Sequence, residues 1–254
     1  YLKSVFKYYA QLTNPNYATY TAYFNSHTPV TGMILNDPSI EAKSFENLPL
    51  TKYFGEPFGK MVARTGWNTG VDTNDVLAYM YVGEERVTSH CQADTGTYQL
   101  YYKGLLQPDL CHYSRTDQPQ YYYHSPRTVS HNALLIRDPN EDQGAKNLSK
   151  HNVGNQRYIN DHQWSLSEYL EDFDIYKKAT VTGQEFGPDK FKPEYTYISG
   201  DITDSYTDKV DDVRRYMMFM PTDNEEVPAV MMVFDKINAV NPSFKKKMLL
   251  QAYE

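Results

Sequence analysis

The chain has 254 residues, with 25 lysine and arginine residues against 32 aspartate and glutamate residues and a formal net charge of −7. This length allows one large domain or two modest ones with a stable core. The acidic balance argues against a general nucleic-acid binder, which needs a basic surface. No apolar run is long enough to span a membrane, and no signal peptide is visible. We interpret both ends of the sequence as truncations within a longer protein.

The first residues predict an α-helix that ends early. Apolar side chains recur there at helical spacing, at Leu2, Val5, Phe6, Tyr9 and Leu12. Asn14-Pro15 ends this helix, because the residue before a proline avoids the helical region. Residues 28–58 have little period and several prolines. We interpret them as a connector to the second part of the chain.

From Gly59 on, short apolar or alternating runs separated by turn-forming residues replace the helical pattern. Many such strands without helices between them predict an antiparallel β-sandwich. The predicted strands are Lys60–Arg64, Val76–Val82, Gly96–Tyr102, Ala133–Ile136, Tyr195–Ser199, Arg214–Met220, Val230–Phe234 and Met248–Ala252. Trp164–Phe173 could be a helical turn or a strand, and Asp138–Asn155 is a predicted loop.

A polar segment between these strands carries the candidate chemistry. If His90, Gln92 and Asp94 lie on a strand, they share one face, because side chains two residues apart point the same way. A site and a solvated edge strand both remain open. With Asp109 and His131 from neighbouring strands, a divalent zinc site is also open, since zinc takes nitrogen and oxygen ligands.

The order of these motifs resembles the heparinase II/III family of polysaccharide lyases. The matching strings are HCQADTGTYQLYYKG from His90, then Asp109, then RTVSHN from Arg127. Weaker matches extend over about residues 50 to 254. The resemblance implies a mainly β fold, a large antiparallel sandwich preceded by the end of an α/α toroid. Residues 1–55 would be the toroid remnant and linker, and residues 56–254 the sandwich.

The family cleaves uronic-acid polysaccharides by β-elimination, and the resemblance implies roles for individual residues. His90 matches a catalytic histidine on the sandwich side. Gln92, Asp109 and His131 stand at the positions of a zinc site. Tyr122, in an aromatic loop, and Arg127 are candidates for substrate binding, with an ordinary strand tyrosine and a structural ion pair as the alternatives.

Gln92 departs from the family pattern, which has a histidine there. A glutamine oxygen is a much weaker zinc ligand than imidazole. Three arrangements stay open: weak binding by Asp109 and His131 with Gln92 or water, ligation by His90, and a site without metal. We favour zinc that is weakly bound or absent, because His90 keeps the family spacing to Asp94.

Two functions follow from the sequence. The first is a lyase for an acidic polysaccharide of the glycosaminoglycan or alginate type, with this chain as one wall of the cleft. The second is a non-catalytic carbohydrate-binding or structural sandwich. The expected partners are the polysaccharide and the remaining toroid and C-terminal parts of the same protein, with a homodimer left open. We expect neither nucleic acid nor a membrane span as a partner, and a periplasmic or secreted location.

Overall fold

The computed structural model describes residues 43–68, 70–84, 92–110, 124–141, 153–157, 166–171 and 176–252. The chain divides into two compact units, Tyr1–Leu48 and Pro49–Glu254. The described residues of the first unit contain one 3-10 turn, Phe45–Asn47. The helix and toroid remnant predicted for the start of the chain lie outside the described residues.

The second unit is built from short and long β-strands, as the turn-separated apolar runs predict. The described residues form eleven strands: β1 Thr51–Tyr53, β2 Lys60–Arg64, β3 Leu77–Tyr81, β4 Tyr98–Tyr101, β5 Leu105–Gln107, β6 Leu134–Arg137, β7 Thr180–Asp189, β8 Lys192–Asp201, β9 Val210–Pro221, β10 Ala229–Ala239 and β11 Lys245–Met248.

The strands form three antiparallel sheets. The first has the order β1-β2-β3-β4-β5, the second β10-β9-β8-β7, and the third β11-β6. One α-helix, α1 Leu166–Glu171, lies within the predicted helix-or-strand segment, and 3-10 turns occur at Thr128–Ser130 and Thr203–Ser205. The predicted antiparallel sandwich is therefore confirmed. No helix in the described part is long and apolar enough to cross a membrane.

Alternation along the strands explains how the sheets build one core. In β2 and β3 every second residue is buried, so Met61 and Met80 face inward while their neighbours are half-buried. Val213, Met217 and Phe219 form the corresponding buried face of β9. These side chains belong to a single hydrophobic cluster with Leu134 and Ile136 of β6, among others. The three sheets thus share one core within this unit.

The last predicted strand is wrong in position. Lys245–Met248 pairs with β6, and the residues after it leave the sheet. The Leu249 amide donates to the Ala133 carbonyl, and the Gln251 amide donates to the Asn132 side chain. Because a side chain satisfies a backbone donor there, the chain does not continue the ladder.

The predicted connector also contains a strand, β1, which pairs with β2 and is too short to show a period.

A buried arginine joins the three sheets. Arg215 on β9 is 1% exposed and forms a bidentate pair with Asp235 on β10, at 2.7 and 2.9 Å. Its Nη1 also donates to the carbonyls of Gly96 and Asn132, at 2.7 and 3.0 Å. Gly96 precedes β4 in the first sheet, and Asn132 precedes β6 in the third. One guanidinium therefore fixes segments of all three sheets.

Arg215→Met should destabilise the protein strongly, because it leaves Asp235 buried without its partner. Breaking a buried pair from one side typically costs about 3–5 kcal/mol. The neighbouring Arg214 is a matched control, since its side chain is 43% exposed and pairs with Asp212 at the surface. Arg214→Met should cost far less, because an ion pair at the surface contributes little to stability. Denaturant unfolding measures both, and equal losses would contradict the role given to Arg215.

Candidate functional site

Asp109 and His131 come together as the sequence resemblance implies. The Asp109 Oδ1 lies 3.1 Å from the His131 Nδ1, with His131 fully buried and the Asp109 side chain 12% exposed. Both residues lie in connecting segments rather than in strands: Asp109 follows β5, and His131 follows the Thr128–Ser130 turn. The pair therefore forms where two loops meet beside the first and third sheets.

Two side chains at the start of β4, one just before the strand and one on it, orient the Asp109 carboxylate. The Thr97 hydroxyl lies 3.3 Å from Oδ1, and the Gln99 amide donates to Oδ2 at 2.5 Å. Gln99 lies on β4, and Thr97 directly precedes that strand, two residues away. Neither residue was among the predicted site residues. Their alternation with the buried Tyr98 is the signal that could have found them.

Asn132 fixes the backbone on both sides of the pair. Its buried side-chain amide donates to the carbonyls of Tyr98 and Pro108, at 2.9 and 3.2 Å. Pro108 directly precedes Asp109, and Asn132 directly follows His131. The Asn132 carbonyl oxygen accepts the Gln251 amide at 2.7 Å. A single amide side chain therefore sets the separation of the two loops that carry the pair.

The segment before β4 is a turn, which corrects one prediction. Residues 92–97 are not a strand, so Gln92 and Asp94 do not share a strand face, and His90 lies outside the described residues. The Thr97 amide donates to the Asp94 carbonyl at 3.0 Å, and Gly96 has a φ of +79°. Residues other than glycine rarely adopt that backbone conformation, so the turn ends the extended run.

The other predicted site residues divide into two groups. His90 and Tyr122 lie outside the described residues. Gln92 is half-buried, and Arg127 is 2% exposed at the start of the Thr128–Ser130 turn. The substrate contacts predicted for Tyr122 and Arg127 stay predictions.

The Asp109–His131 pair suits two ligands of one zinc ion. Both ring nitrogens of His131 are buried, and within the described residues neither makes a hydrogen bond of good geometry, although Nδ1 lies 3.1 Å from Asp109 Oδ1. Leaving a buried polar atom unbonded is costly, so these atoms are suited to a ligand. Zinc binds histidine nitrogen and carboxylate oxygen at about 2.0–2.2 Å, which a nitrogen–oxygen separation of 3.1 Å allows. The described residues contain no group of three such acidic, histidine or cysteine ligands.

A tyrosine lies next to this pair on the outer face of the first sheet. Tyr79 on β3 is directly opposite Gln99 on β4. Burial raises the pKa of the Tyr79 hydroxyl, and the carboxylates of Asp94 and Asp109 raise it further. Tyr79 therefore stays a neutral phenol at physiological pH, able to donate a hydrogen bond beside the Asp109 carboxylate.

Comparison with known proteins identifies the fold. The sequence matches no family model, and no curated protein matches it. A solved structure of a heparinase III, the BT4657 gene product, superposes with a TM-score of 0.52 at 13% identity and covers 97% of this chain. A mutant of the heparan sulfate lyase HepC from Pedobacter heparinus has a TM-score of 0.49 at 15% identity and covers 93% of this chain.

The match covers only part of these enzymes. This chain spans 30% of the heparinase III chain and 27% of the HepC chain. At such low identity the superposition concerns the fold and not the chemistry of single residues. The resemblance found in the sequence is thus confirmed at the level of architecture, and the chain has the fold of a part of heparinase III.

Proposed function

We propose that this chain forms one wall of the active site of a polysaccharide lyase that cleaves uronic-acid-containing chains by β-elimination. The observation that carries the proposal is the Asp109–His131 pair, held by Thr97 and Gln99 at the edge of a tyrosine-rich sheet. The solved chain of the same fold is a heparinase III, which supports this class of reaction. The other wall is expected from parts of the protein outside this chain.

β-Elimination requires a base, an acid and a group that stabilises negative charge around one sugar. A base removes the C-5 proton, the electron pair forms the C4–C5 double bond, and the C4–O bond to the next sugar breaks. An acid returns a proton to the departing oxygen. The transition state carries extra negative charge next to the uronate carboxylate, so cations or hydrogen-bond donors must stabilise it. Histidine suits the proton transfers because it titrates near neutral pH.

Residues of this chain are suited to proton transfer, substrate binding and metal binding in this reaction. We assign His90 to proton transfer on this wall, and Tyr122 and Arg127 to substrate binding. Asp109 and His131 would hold a zinc ion, with Gln92 or water as a weak further ligand. The metal would fix the floor of the cleft and add positive charge there. Because a glutamine oxygen replaces an imidazole, zinc would be held weakly or not at all.

An acidic polysaccharide substrate also indicates where the protein is located and what it binds. Long acidic polysaccharides are met outside the cytoplasm, so we propose a periplasmic or secreted protein. Its partners are the polysaccharide and the remaining toroid and C-terminal parts of the same protein. A homodimer is compatible with this proposal and is not required by it.

Full-length protein should release unsaturated uronates from at least one acidic polysaccharide. The new double bond absorbs in the ultraviolet, so a panel of glycosaminoglycans and alginates can be followed by absorbance. Product formation supports the lyase. Binding without product on every member of the panel would favour the non-catalytic carbohydrate-binding alternative instead.

His90→Ala in the full-length protein should lower the turnover number by about 10²–10⁴-fold, the usual contribution of a general acid or base. The Michaelis constant and the thermal unfolding temperature should change little, because a general acid or base acts in the transition state and not in substrate binding or folding. Initial rates over a range of substrate concentrations separate these effects. An unchanged turnover number would remove His90 from the mechanism.

Elemental analysis should find well under one zinc per chain in the wild type. Gln92→His should raise the zinc content towards one, since two imidazoles and a carboxylate bind zinc well. It should also raise the unfolding temperature, because a ligand that binds only the folded state stabilises it. Gln184→His, at an exposed position on β7, is the matched control and should change neither. A tightly held zinc in the wild type would contradict this assignment.

A further inference from the structure

The outer face of the first sheet combines cations with aromatic rings. Directly opposite residues of an antiparallel pair share one face, so the pairing places Lys60 beside Tyr81 and Val62 beside Tyr79. Lys52 on β1 pairs with the same Val62. We call this surface the lysine–tyrosine face, and it consists of Lys52, Lys60, Val62, Arg64, Tyr79 and Tyr81.

Lys60 lies over three aromatic rings. Its Nζ is 5.3 Å from the centre of the Tyr81 ring, 5.6 Å from Phe58 and 6.0 Å from Tyr79. Within the described part of the chain, no carboxylate forms an ion pair with Lys60. Cation–π contacts orient an ammonium group but leave its charge uncompensated. In a chain with a net charge of −7, this cation is a local site for an anion.

The rings of the face are held in place by local structure. Tyr79 and Tyr81 stack with ring centres 6.1 Å apart. The Tyr81 ring lies against Gly83, where an added Cβ would come within 2.8 Å of it. Gly83 also has a φ of +75°, which favours glycine. The missing side chain therefore leaves room for the ring, and the two tyrosines form a fixed apolar platform.

Arg64 provides a second cation at the other end of β2. Its guanidinium lies 3.9 Å from the centre of the Trp67 ring. The Arg64 Nε is buried and makes no hydrogen bond within the described residues. It borders an open pocket of about 270 Å³ that Asn68, Asp75 and Tyr101 also line. A ligand oxygen in this pocket could satisfy the buried donor.

We propose that the lysine–tyrosine face binds the carboxylates of an extended acidic sugar chain that leads away from the Asp109–His131 pair. This proposal rests on the proposed function, because it names the surface that holds the same substrate. Lys60 and Arg64 are four residues apart on one strand, or roughly 13 Å. A ligand that reaches both cations is therefore longer than a single sugar ring.

The face is continuous with the candidate site, which supports the same occupant. Val62, Tyr79 and Gln99 are directly opposite one another across β2, β3 and β4. Gln99 in turn holds Asp109. A sugar chain stacked on Tyr79 would thus lie on the first sheet and pass the Asp109–His131 pair. Lys60 and Arg64 would compensate the negative charge of this sugar chain.

The test measures binding of an unsulfated polyuronate to the full-length protein. All variants carry His90→Ala, so that the ligand is not cleaved, and calorimetry gives the dissociation constant. The double variant Lys60→Gln with Arg64→Gln should raise it about threefold to thirtyfold, since each cation loses an ion pair at a partly exposed surface. Lys60→Arg should retain binding, because it keeps the charge over the rings.

Lys245→Gln with Lys247→Gln is the matched control for charge. Both are exposed lysines on β11 in the third sheet, so their loss removes the same two charges and should leave the dissociation constant unchanged. Carboxyl-reduced polyuronate should bind the His90→Ala parent weakly and the double variant no worse. Equal binding of the polyuronate to the His90→Ala parent and to the double variant overturns the proposal, as does binding that requires sulfate.

The binding data and the product assay separate this proposal from the lyase function. If the double variant loses binding but the wild type releases no unsaturated uronate, the face is supported and the lyase is refuted. If product forms and the double variant binds like its His90→Ala parent, the lyase function is supported and binding by the lysine–tyrosine face is refuted. Should the double variant unfold, Lys60→Gln alone, at a surface position, gives the same comparison.

Discussion

The hydrogen bonds of Arg215 are the constraint on which the arrangement of the sheets and the site depends. A buried guanidinium must have its donors satisfied, and this one uses Asp235 and two backbone carbonyls, those of Gly96 and Asn132. Its planar group directs donors in fixed directions. Neither carbonyl can shift far without leaving a buried donor unbonded, so the loops before β4 and β6 keep one separation.

The candidate site is built on that fixed separation. Asn132 follows His131, and its side chain holds Pro108 next to Asp109. Gln156 adds a further link, because its side-chain amide donates to the Thr95 carbonyl at 2.7 Å and its backbone amide donates to the Thr128 hydroxyl at 2.9 Å. Buried amides and one guanidinium thus replace regular secondary structure around the pair. This explains why so many of the residues around the pair are both polar and buried.

Strands could be predicted where local alternation dictates them. Burial alternates along both strands, with Met61 and Met80 buried between half-buried neighbours, and β2 and β3 were predicted within one residue of their observed ends. β11 escaped prediction because its three lysines carry no apolar period, and its position follows from pairing with β6. Asp109 and His131 were found through motif order. The contacts of Arg215 with Gly96 and Asn132 were not, since residues so far apart in sequence leave no local pattern.

The bonds of Gln251 have a consequence for the order in which the chain folds. Its amide and side chain bind Asn132, Val129 and His131, which lie about half the chain length away. Closing so long a loop costs conformational entropy before its contacts compensate for it. We therefore expect the Asp109–His131 pair to be completed late, once the segment that follows β11 has docked. A nascent chain with all its strands paired would still lack a finished site.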